Sequence, residues 1–447
     1  MTLEEAVSPD TVRTMFASAL SKMYQQEVPQ YGTLLELVSA INHRNDKSLK
    51  HRVEVERHGA IRLGTADELT TMRRLFSVMG MQPVGYYDLT VANLPVHATC
   101  FRPLTKESLA FDPFRVFTSL LRLELVQDKS LRSKAAEILG NRNIFTRRCI
   151  ELIEKYENHG WFDSTVAEEF ITEALQTFRW HKTSTVDIKT YKALQAQHPL
   201  IADVVCFKGP HINHLTPRVL DIEAAQVEMV RRGLQAKESI EGPPPRAYPI
   251  LLRQTSFLAL QEAVSFSDGK ETGSHKARFG EIEQRGMALT PKGRRLYDDL
   301  ISEWRETMRK LPPGDTTKSE TSQELLTEIF KRFPDSLDAL RREGLAYFTY
   351  KPTTSESNPA HLSDLESLIK SGAVEIEPIT YEDFLPVSAA GIFHSNLGGS
   401  GGMGQVAVAD QASFEEALGC RVSKEFDLYA EIEQASISRC LRSLLKE

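Results

Sequence analysis

Apolar residues recur at helical spacing over residues 10–26 (Val12, Met15, Phe16, Leu20, Met23), and Leu34, Leu35, Leu37 and Val38 predict a second helix before the polar stretch at 43–50. The period then changes. Val53–Leu63 reads as extended, and Ala66–Met79 reads as an amphipathic helix that begins after Thr65 and stops at Gly80. Three more extended segments follow, Val84–Leu89, Val96–Arg102 and Arg115–Leu125, so the local order is strand, helix, strand, strand, strand. Residues 129–182 return to a helical pattern with Phe170, Ile171, Ala174, Leu175 and Phe178 on one apolar stripe, an insertion after the first pattern.

The same order then repeats. Ala202–His214 reads as extended, Asp221–Arg232 as a helix closed by Gly233, and the stretches near Ser239, at Pro249–Ala259 and at Ala277–Arg285 as extended. Two copies of a βαβββ pattern without obvious identity would pair into one curved sheet around a central cleft. The predicted class is α+β, in five segments: a helical lead-in (1–50), a first βαβββ module (51–128), a helical insertion (129–198), a second module (199–300) and a helical and mixed segment that completes the site (301–447). Within the last, 300–345 reads as helical around a polar connector at 310–322, and Leu345–Tyr350 and Val374–Thr380 as extended. The glycine-rich stretch Gly398–Gly404 reads as a mobile loop and lacks the pattern of a phosphate cradle.

Composition narrows the function classes. With 447 residues, 41% hydrophobic and 26% charged, the chain has the profile of a globular protein of several cooperating units. A net charge of -7 argues against general attraction to nucleic acid. No stretch approaches the roughly 20 apolar residues of a membrane span, and no basic-then-apolar leader opens the chain, so a cytoplasmic location without a membrane partner is expected. Cys100, Cys149, Cys206, Cys420 and Cys440 are scattered and odd in number, which predicts reduced packing thiols and no cysteine zinc site.

Candidate chemistry sits on three of the extended segments. In the first, His58, Ala60 and Arg62 alternate onto one face, bringing an imidazole and a guanidinium to the same space; a wet sheet face gives the same pattern. In the second, His211 and His214 fall on opposite faces, so only one can share a cleft with His58. In the third, Glu281 and Glu283 share a face, where two carboxylates repel unless a metal or an arginine neutralises them. Two histidines and one carboxylate from three strands form the set that binds iron(II) with open positions, which suits a 2-oxo acid chelating beside dioxygen. A closed four-ligand zinc site would exclude that chemistry. Spacing leaves Glu281 and Glu283 as alternatives.

At His58-Gly-Ala-Ile-Arg62, Asn213-His214-Leu-Thr-Pro-Arg218 and Phe279-Gly-Glu281-Ile-Glu-Gln-Arg-Gly286, the chain resembles the 2-oxoadipate dioxygenase/decarboxylase family. Tyr381-Glu-Asp-Phe-Leu-Pro-Val-Ser-Ala-Ala-Gly-Ile-Phe393 also fits, and the resemblance runs over nearly the whole chain. It implies a vicinal oxygen chelate fold of βαβββ modules and a metal site like that of 4-hydroxyphenylpyruvate dioxygenase. There the glutamate two residues after the phenylalanine binds iron, which selects Glu281 over Glu283. The implied ligands of Fe(2+) are therefore His58, His214 and Glu281. The implied reaction turns 2-oxoadipate and O2 into 2-hydroxyglutarate and CO2, a late step of bacterial lysine breakdown, with no separate 2-oxoglutarate cosubstrate.

By the same resemblance Arg62 partners a substrate carboxylate, a role suited to a planar guanidinium fork. Val387 contacts substrate through its backbone with Ser388 beside it, and one of Arg218, Arg253, Arg278 and Arg285 is expected to help hold the distal carboxylate. Rival readings on the same scaffold are a glyoxalase-like metal-dependent isomerase or lyase, another dioxygenase, and a non-catalytic binding protein.

Overall fold

The computed structural model describes residues 6–46, 51–237, 240–257, 261–269, 272–276, 278–310, 318–353, 364–385 and 410–445. Two N-terminal helices, Pro9–Glu27 and Pro29–Asn45, form as the periodicity predicts; Ser8 caps the first by accepting from the Thr11 amide, and Pro29 opens the second. His51–Val55 adds a short helical turn where the sequence read as extended, so the first strand, β1 (Arg57–Leu63), starts later than expected. The helix Ala66–Val78 begins on a Thr65 cap, and Gly80, at φ +67, supplies the left-handed turn that ends it.

The strands β2 (Gln82–Asp88), β3 (Val96–Arg102) and β4 (Arg115–Leu121) follow, with a short helix Lys106–Phe111 between β3 and β4. Leu123–Leu125 forms a 3-10 turn, so the fourth strand is shorter than its apolar run. With β5 (Leu215–Pro217), these strands make a five-stranded sheet in the order β2-β3-β4-β1-β5. β1 runs parallel to β4, and β2–β3, β3–β4 and β1–β5 are antiparallel. Every residue of β3 and β4 is buried, including the polar side chains His97, Thr99, Arg102, Arg115, Thr118 and Ser119.

The insertion is helical (Lys129–Gly140, Arg147–His159, Ser164–Ala174), as expected. The next expectation fails in part: Ala202–His214 is not a strand. Pro199–Val205 is a helix, with Pro199 at its first position and the His198 ring accepting from the Leu200 amide, and only Leu215–Pro217 is extended. Residues 200–205 are all buried, so the run carries no one-sided period from which helix or strand could be told.

After the helix Ile222–Arg231, closed at Gly233, come β6 (Leu252–Ser256), an unpredicted hairpin of β7 (Gln261–Ser265) and β8 (Thr272–Lys276), and β9 (Glu281–Arg285). The hairpin escaped notice because each of its strands buries one residue, Val264 and His275. β6 pairs with β9; Ala236 bridges Phe257 antiparallel, and Arg218 bridges Glu283 in parallel. Ser239 and Gly398–Gly404 lie outside the described residues.

By contact the chain divides into two compact units that interleave along the sequence: Met1–Lys237 with Gln254–Glu283 and Phe384–Ser423, and Glu238–Arg253 with Gln284–Asp383 and Lys424–Glu447. The core of the first centres on edge-to-face and tilted ring pairs among Phe16, Phe76, Phe101, Phe114 and Phe178. In the second, β10 (Phe348–Pro352) pairs antiparallel with β11 (Val374–Pro378) and packs against the helix Glu425–Leu445. Among the described residues no helix is long and apolar enough to cross a membrane.

Candidate metal centre and active site

His58 is the second residue of β1, flanked in register by Arg115 of β4 and Thr216 of β5. Strand alternation puts Ala60 and Arg62 on its face. The next residue, Gly59, cannot carry a side chain at no cost: a Cβ there would stand 2.5 Å from Ile212 Cδ1 and 3.3 Å from the His214 carbonyl oxygen. That close approach lets the Asn213 amide donate to the Ala60 carbonyl at 2.9 Å, which sets His214 just ahead of β5. Glu281 opens β9 after Gly280, where a Cβ would fall inside the Phe257 ring at 1.7 Å. Both ligand-bearing segments are tied to the N-terminal helix by Tyr24, whose hydroxyl reaches the Phe279 carbonyl at 2.8 Å and the Asn213 carbonyl at 3.2 Å.

His58, His214 and Glu281 converge, with one potential ligand atom from each lying within 4.8 Å of the others, and all three are fully buried. His58 Nε2 is 3.1 Å and His214 Nε2 3.8 Å from Glu281 Oε1. The Thr216 hydroxyl (2.9 Å) and the Gln254 amide (2.8 Å) both donate to that same oxygen, which leaves Oε2 without a hydrogen-bond partner. Both ring nitrogens of His214 also lack one, and those of His58 lie at contact distance from carboxylates without hydrogen-bond alignment. Buried polar atoms are rarely left so. Their convergence on one point, with two imidazoles and one carboxylate as donors, fits a divalent transition metal.

Glu283 takes a different place: its Oε2 lies 2.8 Å from His58 Nδ1, on the other side of the ring from Glu281. The His58 imidazole thus sits between the two carboxylates whose repulsion the sequence left to be neutralised. Burial lowers the His58 pKa, but Glu283 and Glu281 more than reverse it, so the net shift is upward. Burial dominates at His214 and lowers it to about 4, against the pull of Glu281, so this ring is neutral and ready to donate a lone pair. Burial pushes Glu281 up, and His214, His58 and the Thr216 hydroxyl outweigh it, keeping the carboxylate ionised. Phe384 and Phe279 wall the centre, with ring centroids 4.9 Å from His58 and 4.8 Å from His214.

A sequence model of the 2-oxoadipate dioxygenase/decarboxylase family matches residues 16–396. The chain is 54% identical over 456 residues to the 2-oxoadipate dioxygenase/decarboxylase of Escherichia coli (strain K12), covering 98% of this chain and 99% of that one. The chain belongs to the 2-oxoadipate dioxygenase/decarboxylase family. The crystal structure of the Pseudomonas putida hydroxyglutarate synthase in complex with 2-oxoadipate superposes with a TM-score of 0.89 at 52% identity, over 98% of this chain and 99% of that one. A structure assigned to the glyoxalase superfamily, from Ralstonia eutropha, matches at a TM-score of 0.50 and 17% identity over 64% of this chain and 86% of that one, a likeness of fold alone.

Within this family frame, Arg62 stands on the face of His58, and its charge is among those that depress His214. Its Nη1 donates to Asp203 Oδ2 at 2.6 Å. His211 does not join His58: its Nε2 lies 3.6 Å from Asp203 Oδ1 and takes a 3.0 Å contact from the Asn213 amide. The four other arginines hold protein groups. Arg218 pairs with Glu56 (2.8 Å), Arg278 with Glu27 and Glu262, Arg253 donates to the Pro243 carbonyl (2.9 Å), and Arg285 to the carbonyls of Tyr381 and Asp383 (2.9 Å each). Val387 and Ser388 lie outside the described residues. Sequence reasoning missed the roles of Tyr24, Asp203, Thr216, Gln254 and His275; Thr216 sits within a quoted motif without a role, the others in none, and their partners lie far along the chain.

Proposed function

We propose that this chain is an iron(II)-dependent dioxygenase/decarboxylase that converts 2-oxoadipate and O2 to 2-hydroxyglutarate and CO2, in the cytoplasmic breakdown of lysine that the sequence resemblance implies. The carrying observation is the buried convergence of His58, His214 and Glu281, with unpartnered donor atoms, in a member of this family. When bound, iron(II) supplies the open positions at which a 2-oxo acid chelates and dioxygen is activated. The reaction balances without a second organic substrate: the C1 carboxylate leaves as CO2, one atom of O2 converts the former keto carbon to the new carboxylate, and the other becomes the hydroxyl.

The protein's own part is to hold and shield. Thr216 and Gln254 hold Glu281 through Oε1 and leave Oε2 available, so that His58, His214 and Glu281 would hold the metal, while Glu283 faces Nδ1 of His58, the kind of contact that would fix a ligating imidazole. Phe279 and Phe384 exclude water from the two rings. Arg62 receives a substrate carboxylate, with Val387 contributing backbone groups and Ser388 beside it. The two-module arrangement belongs to this reading. It is supported by β1 lying parallel to β4 and by the parallel Arg218–Glu283 bridge, which relates the first and last strands of the second βαβββ run in the same sense.

The test is oxygen uptake by anaerobically iron(II)-loaded protein given 2-oxoadipate, beside His214→Ala. Equal O2 consumption, CO2 release and 2-hydroxyglutarate formation are expected, all lost in the variant. Iron-bound protein that takes up no oxygen would replace this reading with an isomerase or a binding protein.

A further inference from the structure

Behind Arg62 runs a buried chain of hydrogen bonds. The Tyr191 hydroxyl contacts His275 Nδ1 at 2.8 Å, His275 Nε2 contacts Asp203 Oδ1 at 2.8 Å, and Asp203 Oδ2 accepts from Arg62 Nη1 at 2.6 Å. The tautomer consistent with all three has the phenol donating to Nδ1 and Nε2–H donating to the carboxylate. Three elements supply it: the helix Ile188–Gln197 carries Tyr191, the helix Pro199–Val205 carries Asp203, and β8 carries His275. Trp180 stacks on the His275 ring (6.0 Å, 7°) and meets His211 edge-on (4.7 Å), fixing both imidazoles around the carboxylate. No buried polar atom of Asp203, His275 or Tyr191 is left without a partner.

Such a chain is more than a loose ion pair needs. A free arginine side chain carries about 2 kcal/mol of rotamer entropy and could follow a substrate carboxylate over several ångströms. Held at Nη1 by a carboxylate that is itself held on its other oxygen, it cannot. The pairing also cancels the guanidinium charge locally, so Arg62 exerts little general pull on anions, and its remaining value to a substrate lies in direction and distance. Arg62 follows His58 by four residues on the same face, a spacing of about 13 Å along the strand. A dicarboxylic acid anchored by its 2-oxo end at the metal ligands presents its far carboxylate along that line.

We infer that Asp203 is a positioning residue that fixes the reach of Arg62 from the metal ligands and so sets which length of 2-oxo dicarboxylic acid the site accepts. The inference rests on the proposed role of Arg62 as a carboxylate partner. Replacing Asp203 removes this hold on the guanidinium and the negative charge beside it, so acids of the wrong length gain and the matched acid loses.

The experiment uses the full iron(II)-loaded chain and compares the five-, six- and seven-carbon 2-oxo dicarboxylic acids in two ways: dissociation constants by anaerobic calorimetry, and kcat and KM in oxygen. In Asp203→Asn the preference for the six-carbon acid over the other two falls about tenfold, the scale of one charge-assisted hydrogen bond. The change is carried by KM and Kd, with kcat within about threefold and iron content unchanged. Tyr191→Phe, which keeps the carboxylate and loosens its support, shifts the preference the same way by a smaller factor, and carries the test if Asp203→Asn does not fold. Unchanged length preference in the variants that fold, or an equal loss for all three acids, overturns the inference. Arg62→Ala separates the two readings. If it leaves 2-oxoadipate binding unchanged, the proposed role of Arg62 is wrong. If it weakens binding while the Asp203 and Tyr191 variants keep the length preference, only the positioning role of Asp203 fails.

Discussion

Two buried clusters of imidazole and carboxylate occur in the first unit, and they are built to opposite rules. Around Asp203, two histidines and an arginine meet one carboxylate, a tyrosine supports one of the histidines, and each buried polar atom of Asp203, His275 and Tyr191 has a protein partner. Burial pushes the Asp203 pKa up, but His211, Arg62 and His275 overwhelm it and hold the group well below the usual carboxylate range. Around Glu281, two histidines and a carboxylate meet with Oε2 and both His214 nitrogens unpartnered. Composition alone does not separate the clusters. A satisfied carboxylate such as Asp203 has nothing left to bind itself, and its value lies in fixing the geometry of its partners; an unsatisfied cluster, equally buried, is a seat for something the chain does not itself supply. The same residue types thus serve as scaffold in one place and as a candidate metal site in the other.

The sharpest break of that comparison is His214→Ala. Loss of one of three ligands is expected to remove stoichiometric iron and to lower oxygen uptake well beyond the about 10–100-fold typical of residues that only support a ligand, as metal analysis beside an oxygen electrode would register. The pair Glu281→Gln and Glu283→Gln comes next. Glu281→Gln should behave like His214→Ala, whereas Glu283→Gln should keep iron and lose about 10–100-fold in metal affinity or turnover, since it faces the outer nitrogen of His58. Retention of iron by the first and its loss by the second would exchange their roles.

Acidity provides a graded test. Metal and proton compete for a neutral imidazole, so affinity is lost as pH falls through a ligand's pKa. His58, raised above 6.5 by Glu283 and Glu281 against the effect of burial, is protonated first; His214, lowered to about 4 by burial, follows only near that pH. The iron dissociation constant should therefore rise with a one-proton dependence as pH drops below the His58 pKa and steepen near pH 4; a single two-proton step near neutrality would refute the assignment. Glu283→Gln should move the first step to lower pH. The smallest expected effect is that of Tyr24→Phe, which strips the shared hydroxyl from the Asn213 and Phe279 carbonyls and should cost about 1–3 kcal/mol of unfolding free energy in a denaturant titration, with both ligand segments loosened.

Much of the fold was legible because its signals are local. The helical repeat of the N-terminal 45 residues, the Thr65 cap, the Gly80 stop and the alternation that puts His58 and Arg62 on one face all depend on neighbours a few positions away. Where burial is complete this breaks down. Pro199–Val205 is apolar nearly throughout and hides its helical period, and the exposed β7–β8 hairpin lacks an apolar face to announce it.

The sequence by itself determined the candidate donors, His58, His214 and the Glu281/Glu283 pair, and the βαβββ order of the first strands. Only the tertiary structure decided which glutamate oxygen stays open, that His58 lies between the two carboxylates, and that Arg62 is bound to a residue 141 positions away. It likewise decided that Tyr24 ties down segments 189 and 255 positions distant. The reason is physical. Periodicity records which face of an element is buried, whereas a hydrogen bond between elements depends on how several chain segments pack together, and no local pattern of residues encodes that.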